Sequence, residues 1–325
     1  MRKRISSVLI LILTVIFLCS CGGPSKNSTF SIRFIDVGQG DSALVECDGH
    51  YMLIDGGDKK HGENVYNVLE EEKVRHLDIL AISHFHKDHY AGLTTALANV
   101  GEIDLAISNT DSSVSRFMKL ESGKIDLAIS NTDSYDNGAG IDEEEEEENA
   151  KTEEGLFYDF THELSLANAA IKVPHKGDKY DLGSATVEVV DASSSQNNDS
   201  LVLLITYGKT KFLFTGDIEE AAQKRIYESY QDKDGKDKGY KLDLIKVPHH
   251  GSYTGTLYAF FRTFMPDYVV ISVGQGNRYG HPDHETMDLL TNQKSDWRPR
   301  VYRTDQDGDV IVKSNGKELS VQTSK

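Results

Sequence analysis

Residues 83–92, SHFHKDHYAG, place three histidines and one aspartate within six positions, directly after the apolar run LDILAI. Such a run predicts a buried strand, so the four side chains follow the end of a strand. The i, i+2 spacing lets His84 and His86 face one metal ion. Asp88 and His89 then turn towards a second ion. The motif predicts a site for two metal ions; the alternatives are a single structural zinc ion or unrelated surface histidines.

Apolar and alternating segments predict an α/β layered domain, because strands and helices alternate along both halves of the chain. Strands are predicted at 30–37, 42–47, 51–54, 77–82, 186–191, 201–207, 211–215, 242–247 and 268–273, and helices at 63–74, 90–100, 164–170 and 219–230.

The first 20 residues combine a positively charged start with an apolar stretch of signal-peptide length. The following LCSCGG resembles a bacterial lipobox with Cys21 as the lipidated residue. We therefore expect a lipoprotein signal peptide at 1–20, a polar tether at 21–28, and a lipid anchor on the outer face of the cytoplasmic membrane. The alternatives are an ordinary cleaved signal or an uncleaved anchor. Beyond this leader only Cys47 remains, which excludes an intrachain disulfide.

The middle of the chain contains a near-exact duplication. GEIDLAISNTDS at 101–112 recurs at 123–134 with one mismatch, and an acidic run follows at 142–148. We interpret 111–152 as a surface insertion and expect only one copy to serve as a core strand. A calcium-collecting or interaction role is the alternative.

The formal net charge of −17 argues against a broad basic face for nucleic acid. A polyanionic substrate would have to be held locally, most simply by metal ions.

Two further motifs follow predicted strands, FTGD at 214–217 and VPHHGS at 247–252. With the histidine cluster they resemble the metallo-β-lactamase superfamily, which implies a four-layer αββα sandwich over residues 29–325. DVGQGDS, LIDGG, NNDSLVL and YGHP make the chain similar to the extracellular hydrolase domain of the ComEC competence family. The phosphorylcholine esterases of the same superfamily are also similar.

The resemblance implies two divalent metals, zinc first and manganese as the alternative, held by His84, His86, Asp88, His89, Asp217 and His249. Asp217 would bridge the metals. Asp88 and His250 are the expected catalytic residues, with His250 donating to developing charge; the reverse order of His249 and His250 stays open.

Other residues of these motifs are expected to support the site. Asp41 and Asp55 would orient histidines, and His281 would contact substrate or cap a helix. Asn198 stands where many superfamily members have a further histidine, and His175 is an alternative source of that ligand.

The expected function is hydrolysis of a phosphoester at the cell surface, by a phosphodiesterase or nuclease whose substrate includes DNA in the context of DNA uptake. One alternative is a phosphocholine-type or other small-ester hydrolase. A non-enzymatic alternative is a surface binding protein with a structural metal site.

Overall fold

The computed structural model describes residues 28–108, 120–121, 124–125, 170–193, 200–292 and 296–325. The predicted leader, Cys21, Asn198, residues 164–169 of the predicted helix and nearly all of the insertion therefore lie outside the described residues. Ala170, the last residue of that predicted helix, begins a strand instead.

The strands of the described chain form two large sheets and one short hairpin. The strands are β1 Phe30–Phe34, β2 Ala43–Cys47, β3 His50–Ile54, β4 His76–Ile82, β5 Glu102–Ser108, β6 Leu120–Glu121, β7 Lys124–Ile125, β8 Ala170–Lys172, β9 Lys179–Leu182, β10 Ala185–Asp191, β11 Val202–Tyr207, β12 Thr210–Phe214, β13 Leu244–Lys246, β14 Tyr268–Ile271, β15 Arg300–Arg303, β16 Val310–Ser314 and β17 Leu319–Thr323.

Helices of the described residues flank these sheets. They are α1 Gly62–Glu71, α2 Lys87–Tyr90, α3 Leu93–Ala96, α4 Glu220–Ser229, α5 Tyr258–Phe264, α6 His284–Thr291 and α7 Thr304–Asp307, with 3₁₀ turns at Leu97–Asn99, Pro248–Gly251 and Tyr253–Gly255.

Each sheet combines antiparallel and parallel strands. The first has the order β17-β16-β1-β2-β3-β4-β5-β8, and the second β15-β14-β13-β12-β11-β10-β9. β3, β4, β5 and β8 are parallel neighbours, as are β12 to β15. The carboxyl ends of these strands meet at one edge, and the predicted site motifs follow these ends.

The sheets pack face to face through aromatic and branched side chains. Phe34 and Phe214 stack with ring centroids 5.5 Å apart, and Phe30 stacks on Phe212 at 5.0 Å. On the outer face of the first sheet, α1 buries its predicted apolar residues Val65, Val68 and Leu69. The residues of α4 and α5 cover the outer face of the second sheet. The αββα sandwich is thus confirmed.

Several parts of the fold differ from the prediction. The helix expected at 90–100 is split into α2, α3 and a 3₁₀ turn, because backbone groups near Gly92 bond to another segment. The Gly92 N–H donates to the Gly57 carbonyl oxygen at 2.9 Å, and the His89 carbonyl oxygen accepts from the Gly56 N–H at 2.6 Å. The strands β9, β15, β16 and β17, each of four or five residues, and the helix α5 were not predicted at all. The first copy of the duplication supplies the core strand β5.

Candidate metal centre

Side chains from both sheets converge at the edge where the parallel strands end. His84 and His89 follow β4, Asp217 follows β12, and His250 follows β13. Together with neighbouring carboxylates they form four overlapping sets, and within each set the ligand atoms lie within 4.8 Å of one another: His84, His89 and Asp217; Asp88, His89 and His250; Asp41, Asp217 and His250; and Asp41, Asp55 and His89. The fold therefore brings the first-half cluster against residues from the second half, as predicted.

Oδ2 of Asp217 lies at the centre of this arrangement. It is 3.2 Å from Nε2 of His89 and 3.4 Å from Nε2 of His250. Nε2 of His84 and Nε2 of His249 are both 3.9 Å away from it. The carboxylate is buried, so its charge is compensated by these imidazoles instead of by bulk solvent.

His86 lies beside this group. Its ring is edge-on to the ring of His84, with centroids 4.3 Å apart. The nitrogens of His86 do not belong to any of the sets of metal-ligating atoms named above. Burial lowers the pKa of His86, which favours the neutral imidazole that a metal requires.

Asp55, which is expected to orient a histidine, is hydrogen-bonded to His89. Its Oδ2 accepts hydrogen bonds from Nδ1 of His89 at 3.0 Å and from the Ser83 hydroxyl at 2.7 Å, while its Oδ1 accepts from the Ser83 backbone N–H at 2.7 Å. A carboxylate on Nδ1 fixes the tautomer that leaves Nε2 free as a ligand atom. Asp55 thus acts on the site through His89.

Backbone and hydroxyl groups orient the other imidazoles. Nδ1 of His250 donates to the Ser272 carbonyl oxygen at 2.9 Å. Nδ1 of His84 lies 3.0 Å from the Ser83 hydroxyl and 3.3 Å from that of Ser200. In each case Nε2 is the atom that remains for the centre of the site.

His249 and His250 occupy a strained turn. Both have positive φ, 49° and 53°, a region that residues other than glycine seldom adopt. The turn is held by a hydrogen bond from the His249 N–H to the Gly216 carbonyl oxygen at 3.1 Å. It buries the His250 side chain to 2% exposure and leaves that of His249 24% exposed at the rim. Nε2 of His250 is also 3.2 Å from Oδ2 of Asp88.

This geometry favours His250 as the metal ligand and His249 as the rim group. The predicted order of the two residues was the reverse. Nδ1 of His249 lies 3.5 Å from Oε1 of Glu219, without a hydrogen bond between them.

Asp41 reaches the site through a glycine-dependent loop. Its N–H donates to the Asp88 carbonyl oxygen at 3.1 Å. At the preceding Gly40, whose φ is 141°, a Cβ would lie 2.2 Å from that same oxygen, so only glycine permits the approach. Oδ1 of Asp41 is then 3.4 Å from Nδ1 of His250, but it makes no hydrogen bond with it, because that nitrogen donates to the Ser272 carbonyl oxygen.

Lys246 was missed by the sequence reasoning. It is the last residue of β13, its side chain is 3% exposed, and its Nζ contacts Oδ2 of Asp41. The only available signal was a lysine at the end of an otherwise apolar strand that leads into VPHHGS.

The buried charges shift one another's protonation. Burial raises the pKa of the Asp217 carboxyl, but the opposing effect of His250 and His89 is larger. The pKa of Asp217 is therefore well below its ordinary value. Burial lowers the pKa of His89 and of His250, yet the Asp217 carboxylate overcomes this and raises both well above their ordinary values. Burial and the neighbouring His89 lower the pKa of His84 well below its ordinary value.

The donor set fits divalent metal ions. Nε2 of His84, of His89 and of His250 are buried and make no hydrogen bond of acceptable geometry within the part of the chain that the structure describes. Imidazole nitrogens and carboxylate oxygens are common ligand atoms of zinc, and both also bind manganese. The arrangement can therefore hold metals that replace the protons of these histidines.

His281 and His175 are placed differently. The His281 ring is 5.7 Å from that of His249, at the rim of the site. His175 is exposed, in a turn where its N–H donates to Oδ2 of Asp178. The geometry of His281 agrees with a substrate contact, and His175 is not among the sets of metal-ligating atoms.

The chain has relatives among competence proteins. It is 26% identical over 311 residues to ComE operon protein 3 of Bacillus subtilis, which covers 88% of this chain and 33% of the relative. It is 24% identical over 323 residues to Recombination protein 2 of Haemophilus influenzae, covering 98% of this chain and 32% of the relative. The chain thus spans about a third of the length of these curated relatives. Within the described residues, no helix is long and apolar enough to cross a membrane.

Solved structures share the fold. The metallo-beta-lactamase fold protein YhfI from Bacillus subtilis matches with a TM-score of 0.52 and 10% identity, over 88% of this chain and 100% of its own. A variant of the β-hydroxylase CmlA matches with a TM-score of 0.50 and 12% identity, over 90% of this chain and 55% of its own. The family model described as Metallo-beta-lactamase superfamily matches residues 35–275. The histidine and aspartate motifs, the sandwich that brings them together and this match agree: the chain belongs to the metallo-β-lactamase superfamily.

Proposed function

We propose that the protein is a phosphodiesterase that uses two divalent metal ions to hydrolyse nucleic acid. The observation that carries the proposal is the cluster of imidazoles around Oδ2 of Asp217, in which Nε2 of His89 lies at 3.2 Å, Nε2 of His250 at 3.4 Å and Nε2 of His84 at 3.9 Å.

The hydrogen bond between Asp55 and His89 divides the metal ligands into two groups. Because Asp55 engages Nδ1 of His89, only Nε2 of that ring is available, and it serves a single ion. His89 then joins Asp88 and His250, whose ligand atoms lie in the same set. His84 and His86 would hold the other ion, and Asp217 would contribute to both.

Two metal ions at such a site supply a water molecule that is activated near neutral pH and positive charge for the oxygens of a phosphoryl group. The protein contributes orientation, through Asp55, Ser272 and the strained turn. His249, which is partly exposed and lies at the rim, is positioned to donate a hydrogen bond to a substrate oxygen as charge develops there.

The substrate class is suggested by a ridge of side chains that extends from His249 over His281 to Tyr279 and Arg278. The rings of Tyr279 and His281 lie 5.7 Å apart at an interplanar angle of 24°. Tyr279 is 53% exposed, and Nη2 of Arg278 donates to its hydroxyl at 2.8 Å. The Tyr279 hydroxyl, and to a smaller extent Asp88, raise the pKa of Arg278, which keeps the guanidinium charged.

An exposed aromatic ring beside an arginine is the pairing that single-stranded nucleic acid uses, with a base on the ring and a phosphate on the cation. The ridge supplies this pairing locally, which reconciles a nucleic acid substrate with a net charge of −17. The names of the relatives, a competence-operon protein and a recombination protein, point to DNA as that nucleic acid.

We further propose that the protein acts outside the cytoplasmic membrane, anchored by a lipid at Cys21. The support is the leader and lipobox of the sequence.

The test is hydrolysis by the full-length chain, purified in detergent, of bis-p-nitrophenyl phosphate, single-stranded DNA and a phosphocholine ester, with zinc and with manganese. We expect DNA and the chromogenic diester to be cleaved, and an Asp88→Ala, His89→Ala double variant to be inactive. Preference for the phosphocholine ester would favour the small-ester alternative. No turnover of any substrate above the double variant would leave a binding protein with a structural metal site.

A further inference from the structure

Lys246 is buried within the metal centre. Its Nζ makes an ion pair with Oδ2 of Asp41, donates to the Gly216 carbonyl oxygen at 3.1 Å, and lies 3.8 Å from Oδ1 of Asp217. Lysine is almost never fully buried unless it is paired. The lysine therefore sits between two carboxylates, one of which is shared by both groups of metal ligands.

The position of Lys246 coincides with the third set of metal-ligating atoms. That set, Asp41, Asp217 and His250, has the chemistry and the spacing of a cation site. The lysine ammonium, however, already faces both of its carboxylates. The opposite oxygen of Asp217, Oδ2, is the one that faces the histidines.

Lys246 is also the ion-pair partner of Asp41. Asp41 is thus a buried carboxylate that is paired with a cation belonging to the protein.

We propose that Lys246 is a positioning residue that takes the place of a third metal ion. It pairs with Asp41, which keeps that carboxylate out of the metal ligands, and it leaves Oδ2 of Asp217 as the oxygen that faces the histidines. The inference rests on the two-metal assignment, but it does not depend on which substrate is hydrolysed.

The test is metal stoichiometry and thermal unfolding of the full-length chain with Lys246→Met, a neutral side chain of similar length. We expect two zinc ions per native chain and a third in the variant, since Asp41 becomes available. Adding Asp41→Asn to Lys246→Met should return the stoichiometry to two.

Thermal unfolding gives a readout that is independent of activity. Without metal, Lys246→Met leaves the buried Asp41 carboxylate without its cation, so the melting temperature should fall by about 5 °C or more. With metal bound the loss should be smaller, because the third ion replaces the lysine. The double variant should recover most of the metal-free loss.

A matched control is Lys241→Met, which removes an exposed ion pair with Asp267 at 2.7 Å. Such pairs contribute little, so both the stoichiometry and the melting temperature should stay close to native. If Lys246→Met does not fold without metal, the variant that combines Lys246→Met with Asp41→Asn provides the test. It should fold without metal and bind two ions per chain. Two ions in every variant, with equal melting losses in the presence and absence of metal, would overturn the proposal.

Discussion

Asp55→Asn tests how much of the metal affinity depends on the orientation of a single imidazole. Asparagine can adopt the positive φ of 56° at this position, so the backbone should be kept. The amide oxygen can still accept from the Ser83 N–H. Its NH₂ group, however, then faces Nδ1 of His89, where the carboxylate accepted a hydrogen bond at 3.0 Å.

The substitution should therefore invert the tautomer of His89. With Nδ1 acting as an acceptor, the proton moves to Nε2, which can no longer bind a metal without losing it. Substitution of a group that orients a metal-bound histidine weakens metal binding about 10- to 100-fold, or roughly 1.4 to 2.8 kcal/mol. We expect a loss of this size for one of the two ions, measured by competition with a chromophoric chelator.

Asp78→Asn is the matched control. Asp78 also accepts from the Nδ1 of a histidine, His50, at 2.6 Å and from a backbone N–H, that of Tyr51, at 2.8 Å, but it lies outside the metal centre. Its substitution should leave both affinities unchanged. If Asp55→Asn retains both metals with an affinity within about twofold of native, well below the 10-fold loss expected, and circular dichroism shows it folded, the orienting role is refuted.

Three further predictions follow from the same geometry. His250→Ala should lose one metal per chain by elemental analysis, whereas His249→Ala should retain both and lose turnover; the opposite pattern would restore the order predicted from sequence. Tyr279→Ala should raise KM for single-stranded DNA about 10-fold, the worth of one stacked base, with little change for bis-p-nitrophenyl phosphate; an equal effect on both substrates would contradict a stacking role. The pKa values of His89 and His250 are raised in the metal-free chain, so both imidazoles should be in their cationic form at pH 7. Because each must lose one proton to bind a metal, metal loading should release about two protons, and metal affinity should weaken as pH falls. Calorimetry in buffers of different ionisation enthalpy would detect this, and release of no protons would contradict it.

Most of the framework of the site was predictable from local pattern. Apolar runs predict strands, and the polar motifs that follow them predict a common edge, so Asp217 could be assigned to the site of His84 and His89 although they are more than a hundred positions apart. The orienting role of Asp55 followed from the same reasoning.

Other features of the site depend on tertiary contacts. The geometry that favours His250 over His249 as the ligand comes from two consecutive residues with positive φ, which no local propensity predicts. In the sequence, Lys246 looks like an ordinary polar residue at a strand end. Its role becomes visible only in the folded chain, where it pairs with Asp41, some two hundred positions earlier. The helix breaks after Tyr90 because His89 and Gly92 form backbone hydrogen bonds with Gly56 and Gly57, in a segment that meets them only in the folded chain.

The central claim is that two metal ions, joined at Asp217, hydrolyse a phosphodiester. The most direct test is to titrate the metal-free chain with manganese or zinc while measuring bound metal and the cleavage of single-stranded DNA in the same samples, with Asp217→Asn as the control. We predict that activity rises with occupancy, reaches its maximum at two ions per chain, and is absent in the control. Saturation at one ion, or a fully loaded chain no more active than Asp217→Asn, would contradict the account.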